Sequence, residues 1–343
     1  MKEFSSYVER TPLIDKLPLD TPMGVHVCPS TYCNFRCFYC KHTLDVNKEN
    51  NKVGSLERAM MSMETFEKIV EQLKEFPRKV ELLNFAWLGE PLMNTHIADM
   101  VALAKKESVA NTVGIVTNGS LLNHDMSDRL IDAGLDRLRI SLQGFTEEDY
   151  MEVSGYKLNM DEYIGNIKYF YEHKDHTQVY VKMMDTMLKT KEDEARFHQI
   201  YDGICDHINI EHLVPLHNEL DISDRKDDFI VNYFGDTVID NKICSYIFLN
   251  LMISPVAGVY PCADADAFLD ENGVEHSMMY ASLYDKTLYQ IWNGEERAAL
   301  LRRIINGHKD DNPICRECLF VKYHVAEEDR LDPYQDRLKE IFL

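Results

Sequence analysis

Between residues 24 and 214, short apolar or β-branched runs alternate with longer helical patterns, and this rhythm restricts the fold more than any other feature of the chain. The runs at 24–28, 80–86, 113–117, 137–142, 179–184 and 208–214 read as strands. The intervening segments 63–76, 97–106, 125–133, 161–173 and 193–204 repeat apolar residues at helical spacing. Such repetition builds a parallel sheet with crossover helices, and six units predict an α/β fold with a partial (β/α)6 TIM-like barrel. Ligands of parallel barrels bind in the loops at the carboxyl ends of the strands. After Pro215 the pattern changes. A polar, acidic linker is expected over 217–228, then a hairpin in which 246–254 and 259–261 flank the turn 255–258, then helices over 287–292, 295–305 and much of 323–342. This predicts a small C-terminal α+β domain.

The loop after the first strand carries Cys33, Cys37 and Cys40 in the spacing Cys-x3-Cys-x2-Cys. Three thiolates on one short loop can ligate three irons of a cubane cluster and leave the fourth open. A cluster that only carries electrons usually has four cysteines, so an open iron marks a reaction site for a chelating small molecule. A zinc knuckle completed by His42 is the plainer alternative. A second group, Cys244, Cys262, Cys315 and Cys318, can close a four-coordinate sphere around a second cluster or a structural zinc. Cys28 and Cys205 lie in apolar patterns and read as small buried hydrophobes, or as hydrogen-atom donors to a substrate radical.

With 37 Lys and Arg against 58 Asp and Glu, the formal charge of -21 repels phosphate backbones and anionic lipids, which argues against nucleic acid and membrane surfaces as partners. The longest apolar stretch, 247–253, is interrupted by Asn250, and the first residues contain no signal core, so a cytoplasmic protein is expected. Reduced thiols in that compartment point to metal rather than disulfides.

Three polar motifs follow successive strands: Trp87-Leu-Gly-Glu-Pro91, Thr117-Asn-Gly119 and Ser141-Leu-Gln-Gly144. Backbone carbonyls and Glu90 suit an ammonium partner. Alternation places Arg139, Ser141 and Gln143 on one side of their strand, where Arg139 can meet an anionic group or form a structural ion pair. Glu211, His212 and His217 near the sixth strand's end, and Asp264 and Asp266 after Cys262, could supply a base.

The cysteine triplet, with Tyr39 before its last member, resembles the signature of the radical SAM superfamily. Trp87-Leu-Gly-Glu-Pro91 resembles that family's GGEP motif with Leu88 in place of the first glycine. The resemblance implies a 4Fe-4S cluster on Cys33, Cys37 and Cys40. It further implies S-adenosylmethionine (SAM) held by Tyr39, Gly89, Glu90, Pro91, Asn118, Arg139, Ser141 and Gln143. The second cysteine group, with Gly258-Val-Tyr-Pro-Cys262, Leu288-Tyr-Gln-Ile-Trp-Asn293 and Pro313-Ile-Cys-Arg-Glu-Cys318, resembles the twitch domain, a shortened relative of the SPASM domain. That domain holds one auxiliary 4Fe-4S cluster.

The implied organisation is an extension over 1–23, a radical SAM core over 24–215, a twitch/SPASM-like domain over 216–322 and a C-terminal helix over 323–343. The implied activity is reductive cleavage of SAM to methionine and a 5'-deoxyadenosyl radical, which abstracts a substrate hydrogen. An auxiliary cluster closed by four cysteines suits an electron acceptor, as in enzymes of the 2-deoxy-scyllo-inosamine dehydrogenase type. The leading substrate is then a secondary alcohol of a sugar, cyclitol or nucleotide sugar, and a flavodoxin or ferredoxin system the reductant. The rival is radical modification of a peptide or protein by crosslinking, epimerisation or oxidation, although the stretch before the first strand looks too short for a leader-binding domain. A non-catalytic Fe-S or zinc scaffold is the third reading.

Overall fold

The computed structural model describes residues 11–40, 52–53, 56–214, 231–263, 268–269 and 275–343. His42, His217, Asp264, Asp266 and the linker 217–228 lie outside these residues. The strands are β1 (Gly24–Val27), β2 (Lys52–Val53), β3 (Leu56–Glu57), β4 (Val80–Phe85), β5 (Ala110–Thr117), β6 (Arg137–Leu142), β7 (Gln178–Met184), β8 (His207–Glu211), β9 (Asn250–Ile253), β10 (Gly258–Tyr260), β11 (Phe268–Leu269), β12 (Glu275–His276) and β13 (Ala281–Ser282). Nine of them form one sheet in the order β13-β10-β9-β1-β4-β5-β6-β7-β8. From β1 through β8 every pairing in that sheet is parallel. The six expected barrel strands are all present, each within a few residues of its predicted bounds.

The helices between them are α1 (Met63–Leu73), α2 (Ile97–Glu107), α3 (His124–Asp132), α4 (Glu147–Ser154), α5 (Met160–His173) and α6 (Lys191–Tyr201). Local chemistry sets their starts. The Ser62 side chain accepts from the Thr65 amide at α1, and reciprocal capping boxes Thr146/Asp149 and Thr190/Asp193 open α4 and α6. Helix α4 was not expected from the sequence. Its apolar residues are few, and its buried side is carried by Tyr150 and Val153. Along β6 the residues Leu138, Ile140 and Leu142 are buried while Arg139 and Ser141 are not, and β7 repeats the pattern with Val179, Val181 and Met183. The apolar side packs beneath the helices, as the core cluster shows. The polar side, with Arg139, Ser141 and Lys182, lines the barrel interior.

Beyond the barrel lie α7 (Tyr246–Leu249), α8 (Leu288–Trp292), α9 (Glu295–Ile305), α10 (Pro313–Glu317), α11 (Phe320–Tyr323) and α12 (Gln335–Phe342). The expected hairpin is β9 against β10, antiparallel, but 246–249 forms a helical turn rather than the start of a strand. β9 also pairs in parallel with β1, so the C-terminal part extends the barrel sheet instead of standing apart from it. Of the long helix expected over much of 323–342, the α-helical part is α12; the 3-10 turn Asp332–Tyr334 interrupts the pattern ahead of it and carries Pro333, which lacks the amide a continuous helix needs. Leu13, Ile14 and Leu17 bury themselves with Phe248, Leu301, Ile304 and Leu338 in a second core, tying the N-terminal stretch to α9 and α12. No helix among the described residues is long and apolar enough to cross a membrane.

Candidate active site

The loop after β1 carries the cysteine triplet and is fastened both before the triplet and within it. Before the triplet, Thr31 Oγ1 donates to the Glu57 carbonyl at 3.0 Å, and Asn94 Nδ2 donates to the carbonyls of Pro29 (2.8 Å) and Met61 (2.9 Å). Within it, the Arg36 and Phe38 amides donate to the Ser154 and Val153 carbonyls at the end of α4, at 2.8 and 3.1 Å. Phe35 is buried with its ring 4.9 Å from that of Tyr156. A backbone bond from Cys40 N to Cys37 O at 2.9 Å closes the turn that brings the last two cysteines together.

Burial pushes the Cys33 thiol up to about 12, with Glu90 and Cys40 adding to the effect, and burial followed by Cys40 and Cys33 raises Cys37 further. Thiols whose ionisation is suppressed by burial and by neighbouring thiols, as those of Cys33 and Cys37 are, suit a cationic partner, because coordination replaces the proton. Among the described residues, no three His, Cys, Asp or Glu side chains converge on one point as they would around a single metal ion. A cubane makes no such demand, since each thiolate takes its own iron.

The turn after β4 packs directly on this loop. Gly89 has φ 75°, and a Cβ there would lie 2.1 Å from the Ser30 carbonyl oxygen and 2.7 Å from that of Tyr32, so only glycine fits. Leu88 keeps an ordinary φ; positive values fall on Gly89 and on Trp87, at 99°. Such a conformation costs a side-chain-bearing residue roughly 1–3 kcal/mol. Glu90 is 2% exposed. Its Oε1 accepts from Leu92 N at 3.0 Å and Thr117 Oγ1 at 2.5 Å, and its Oε2 accepts from Asn118 N at 2.8 Å. Burial raises its carboxyl above the usual range, and these three donors oppose the rise. The carboxylate thus locks the β4 turn to the end of β5. Asn118 continues the link, donating from Nδ2 to Asn34 Oδ1 in the cysteine loop at 2.9 Å. At the end of β6, Gln143 Oε1 accepts from the Tyr39 hydroxyl at 2.6 Å, and Gln143 Nε2 donates to Ser141 O at 3.2 Å. Tyr39, Gly89, Glu90, Pro91, Asn118, Ser141 and Gln143 therefore occupy one connected rim around the triplet.

Arg139 departs from that rim. Its Nη2 donates to Glu211 Oε1 at 3.0 Å while Lys182 Nζ donates to Glu211 Oε2 at 2.7 Å, and the Tyr233 hydroxyl bonds the same carboxylate. Glu211 is 1% exposed; burial alone would raise its carboxyl, but the Lys182 and Arg139 cations hold it below the usual range. Glu211 is accordingly a buried ion-pair acceptor, not the open base its place at a strand end suggested. His212, its neighbour, has Nδ1 2.8 Å from Asp185 Oδ2, joining the carboxyl ends of β7 and β8. Lys182 and Tyr233 were not picked out from the sequence. The period-two alternation of β7 could have found Lys182, whereas nothing local marks Tyr233. Cys28 and Cys205 are buried, with thiols donating to Leu88 O (3.1 Å) and Tyr201 O (3.1 Å), as small core residues do.

Cys262 follows β10 and Cys244 precedes α7. Cys315 sits inside α10, whose start is fixed by Asn312 Oδ1 accepting from the amides of Ile314 (2.9 Å) and Cys315 (3.2 Å), and Cys318 caps its end. The phenol of Tyr280 is raised first by burial and then by Cys262, Cys315 and Cys244, so all three cysteines lie within electrostatic reach of that hydroxyl. Cys315 Sγ also lies 3.7 Å from Met278 Sδ. This donor set is all thiol and fits an iron-sulfur cluster.

A family model described as the Radical SAM superfamily matches residues 27–200, and one described as an iron-sulfur cluster-binding domain, SPASM, matches residues 244–319. A probable GTP 3',8-cyclase of Methanococcus maripaludis is 34% identical over 123 residues, 36% of this chain and 37% of that protein, so the chain spans little more than a third of that relative's length. The solved structure of BtrN in complex with AdoMet and 2-DOIA superposes with a TM-score of 0.51 at 16% identity, covering 86% of this chain and 92% of that one. Streptococcus suis SuiB bound to S-adenosylmethionine gives 0.57 at 16% identity, covering 82% and 68%. At such identity these likenesses are of fold. A core of the matched type binds a 4Fe-4S cluster and SAM, and the SPASM domain binds auxiliary Fe-S clusters. The chain belongs to the radical SAM superfamily and carries a SPASM domain in its C-terminal part.

Proposed function

We propose that this enzyme oxidises a secondary alcohol of a sugar, cyclitol or nucleotide sugar, with Cys33, Cys37 and Cys40 holding the SAM-binding cluster and Cys244, Cys262, Cys315 and Cys318 the auxiliary one. The core would extend over 24–215 and the auxiliary domain over 216–322. What supports the oxidative reading is an all-thiol set beyond the barrel: Cys244, Cys262 and Cys315 all lie within electrostatic reach of the Tyr280 phenol, and Cys318 ends the same short helix that carries Cys315. Four thiolates leave no iron open for SAM, and such a cluster suits taking or passing an electron. When bound, the two clusters and SAM supply the hydrogen-abstracting radical and the electron acceptor. Converting a carbinol to a ketone removes one hydrogen atom from carbon, one proton from oxygen and one electron. His212, oriented by Asp185, is the proton acceptor in this proposal. Tyr39, Glu90, Asn118, Ser141 and Gln143 shape the SAM pocket and exclude water, and a flavodoxin or ferredoxin system is the reductant.

The test incubates reduced holoenzyme anaerobically with SAM and a panel of cyclitols, sugars and nucleotide sugars deuterated at their carbinol carbons. Deuterium should appear in 5'-deoxyadenosine with one ketone formed per transfer, and a folded Cys315→Ala/Cys318→Ala variant should cleave SAM without making ketone. Transfer from a peptide and from no member of the panel would replace this reading with peptide modification. Ketone formation at the parent rate without the second cluster would reduce that cluster to a structural part.

A further inference from the structure

Trp87 belongs to none of the proposed ligand sets, yet it stands on the seam between them. Its φ of 99° is one that a residue with a side chain keeps only when its surroundings impose it. Two contacts impose it here, and both come from the auxiliary region. Nε1 donates to the Ala263 carbonyl at 2.7 Å, and the ring meets Tyr260 edge-on with centroids 5.4 Å apart. Tyr260 ends β10, and Ala263 directly follows Cys262.

On the other side, Trp87 leads straight into the turn that packs on the cysteine loop. Leu88 joins Trp87, Tyr260 and Cys262 in one small apolar cluster, and its carbonyl accepts from the Cys28 thiol at 3.1 Å. Gly89 is wedged against Ser30 and Tyr32, and Glu90 N donates to Tyr32 O at 2.7 Å. The turn has no slack in which to absorb a change at its first residue.

We propose that Trp87 is a positioning residue that couples the two halves: anchored on the loop after Cys262, it holds Leu88–Glu90 in the conformation that binds SAM, so that SAM affinity depends on the auxiliary cluster being in place. This rests on the reading that Gly89–Pro91 contact SAM and that Cys262 binds the second cluster. Loss of that cluster frees the Ala263 carbonyl, removes the restraint on Trp87 and lets its backbone relax toward negative φ. The SAM turn then shifts with it.

A double-mutant cycle tests this on unreduced, anaerobically reconstituted protein, with SAM dissociation constants measured by calorimetry and no turnover required. The four proteins are the parent, Trp87→Gly, Cys315→Ala/Cys318→Ala, and their combination. Glycine adopts a positive φ freely, so Trp87→Gly cuts the link and releases the strain together. In the parent background, removing the second cluster should weaken SAM binding by about three- to tenfold, the scale of one lost hydrogen bond; in the Trp87→Gly background it should change affinity by less than about twofold. Equal weakening in both backgrounds, or none in the parent, overturns the proposal. If Trp87→Gly fails to fold by circular dichroism, Trp87→Phe takes its place, since it keeps an aromatic ring beside Tyr260 and removes the N–H donor to Ala263 along with part of the indole. Iron analysis separates the two levels of failure: a parent with about four irons has no second cluster and sinks the reading of Cys262. A parent with about eight irons and equal weakening in both backgrounds sinks the Trp87 link alone.

Discussion

Glu211 is the residue whose surroundings most constrain what a substitution can do. Both of its oxygens are engaged by cations, and neither cation has much water to turn to: the side chains of Lys182 and Arg139 are 16% and 22% exposed. Glu211→Gln keeps the shape and strands two charges, so it should destabilise the protein by about 3–5 kcal/mol in urea unfolding. The pH dependence has a fixed sign. A carboxyl held below its ordinary value stabilises the fold fully above that value, less as pH falls through it, and not at all below the depressed value. Parent stability should therefore decline in acid more steeply than that of Glu211→Gln; parallel acid limbs would mean the carboxylate is not held down. The sequence suggested a base here because a glutamate at a strand end looks available. Its two cationic partners sit on β6 and β7, and only the strand register reveals that they reach it. The cysteine triplet stands out in the sequence for the opposite reason, since its spacing along the chain is itself the signal.

At the scale of elements, the turn after β4 and the loop after β1 behave as one piece. Gly89→Ala would drive a Cβ into two backbone carbonyls at a φ that disfavours any side chain, and neither obstacle is a flexible side-chain tip. Overpacking of this kind costs about 1–3 kcal/mol or more. It should part the turn from the cysteine loop while leaving the auxiliary region intact. The expected result is a folded protein that keeps about four irons per chain and binds no SAM. Retention of full iron and parent SAM affinity would show that the close approach is dispensable. The six barrel strands could be read from the sequence because each buries one apolar face locally. The pairing of β9 with β1 could not, since it joins distant segments and depends on Gly24 admitting Asn250, whose Oδ1 would lie 2.2 Å from a Cβ at that position.

Taken whole, the molecule holds its open barrel from both edges. β9 extends the sheet beyond β1, while Tyr233, whose amide donates to the Tyr323 carbonyl at 2.8 Å, reaches across to Glu211 at the end of β8. The chain beyond β8 thus grips the two edges that a closed barrel would have joined, and Trp87 adds a third contact at the mouth. Seven cysteines lie in this assembly as a set of three on the barrel and a set of four beyond it. Anaerobic reconstitution should accordingly load about eight irons per chain. Replacing Cys33, Cys37 and Cys40 by alanine should leave about four and abolish SAM cleavage, because the open iron goes with the triplet. The iron retained in that variant should be indifferent to SAM in its electron paramagnetic resonance spectrum, whereas the parent signal should shift when SAM is added. Stoichiometric zinc with little iron in anaerobically prepared parent protein would instead assign the thiols to structural sites and remove the basis for radical chemistry at the barrel mouth.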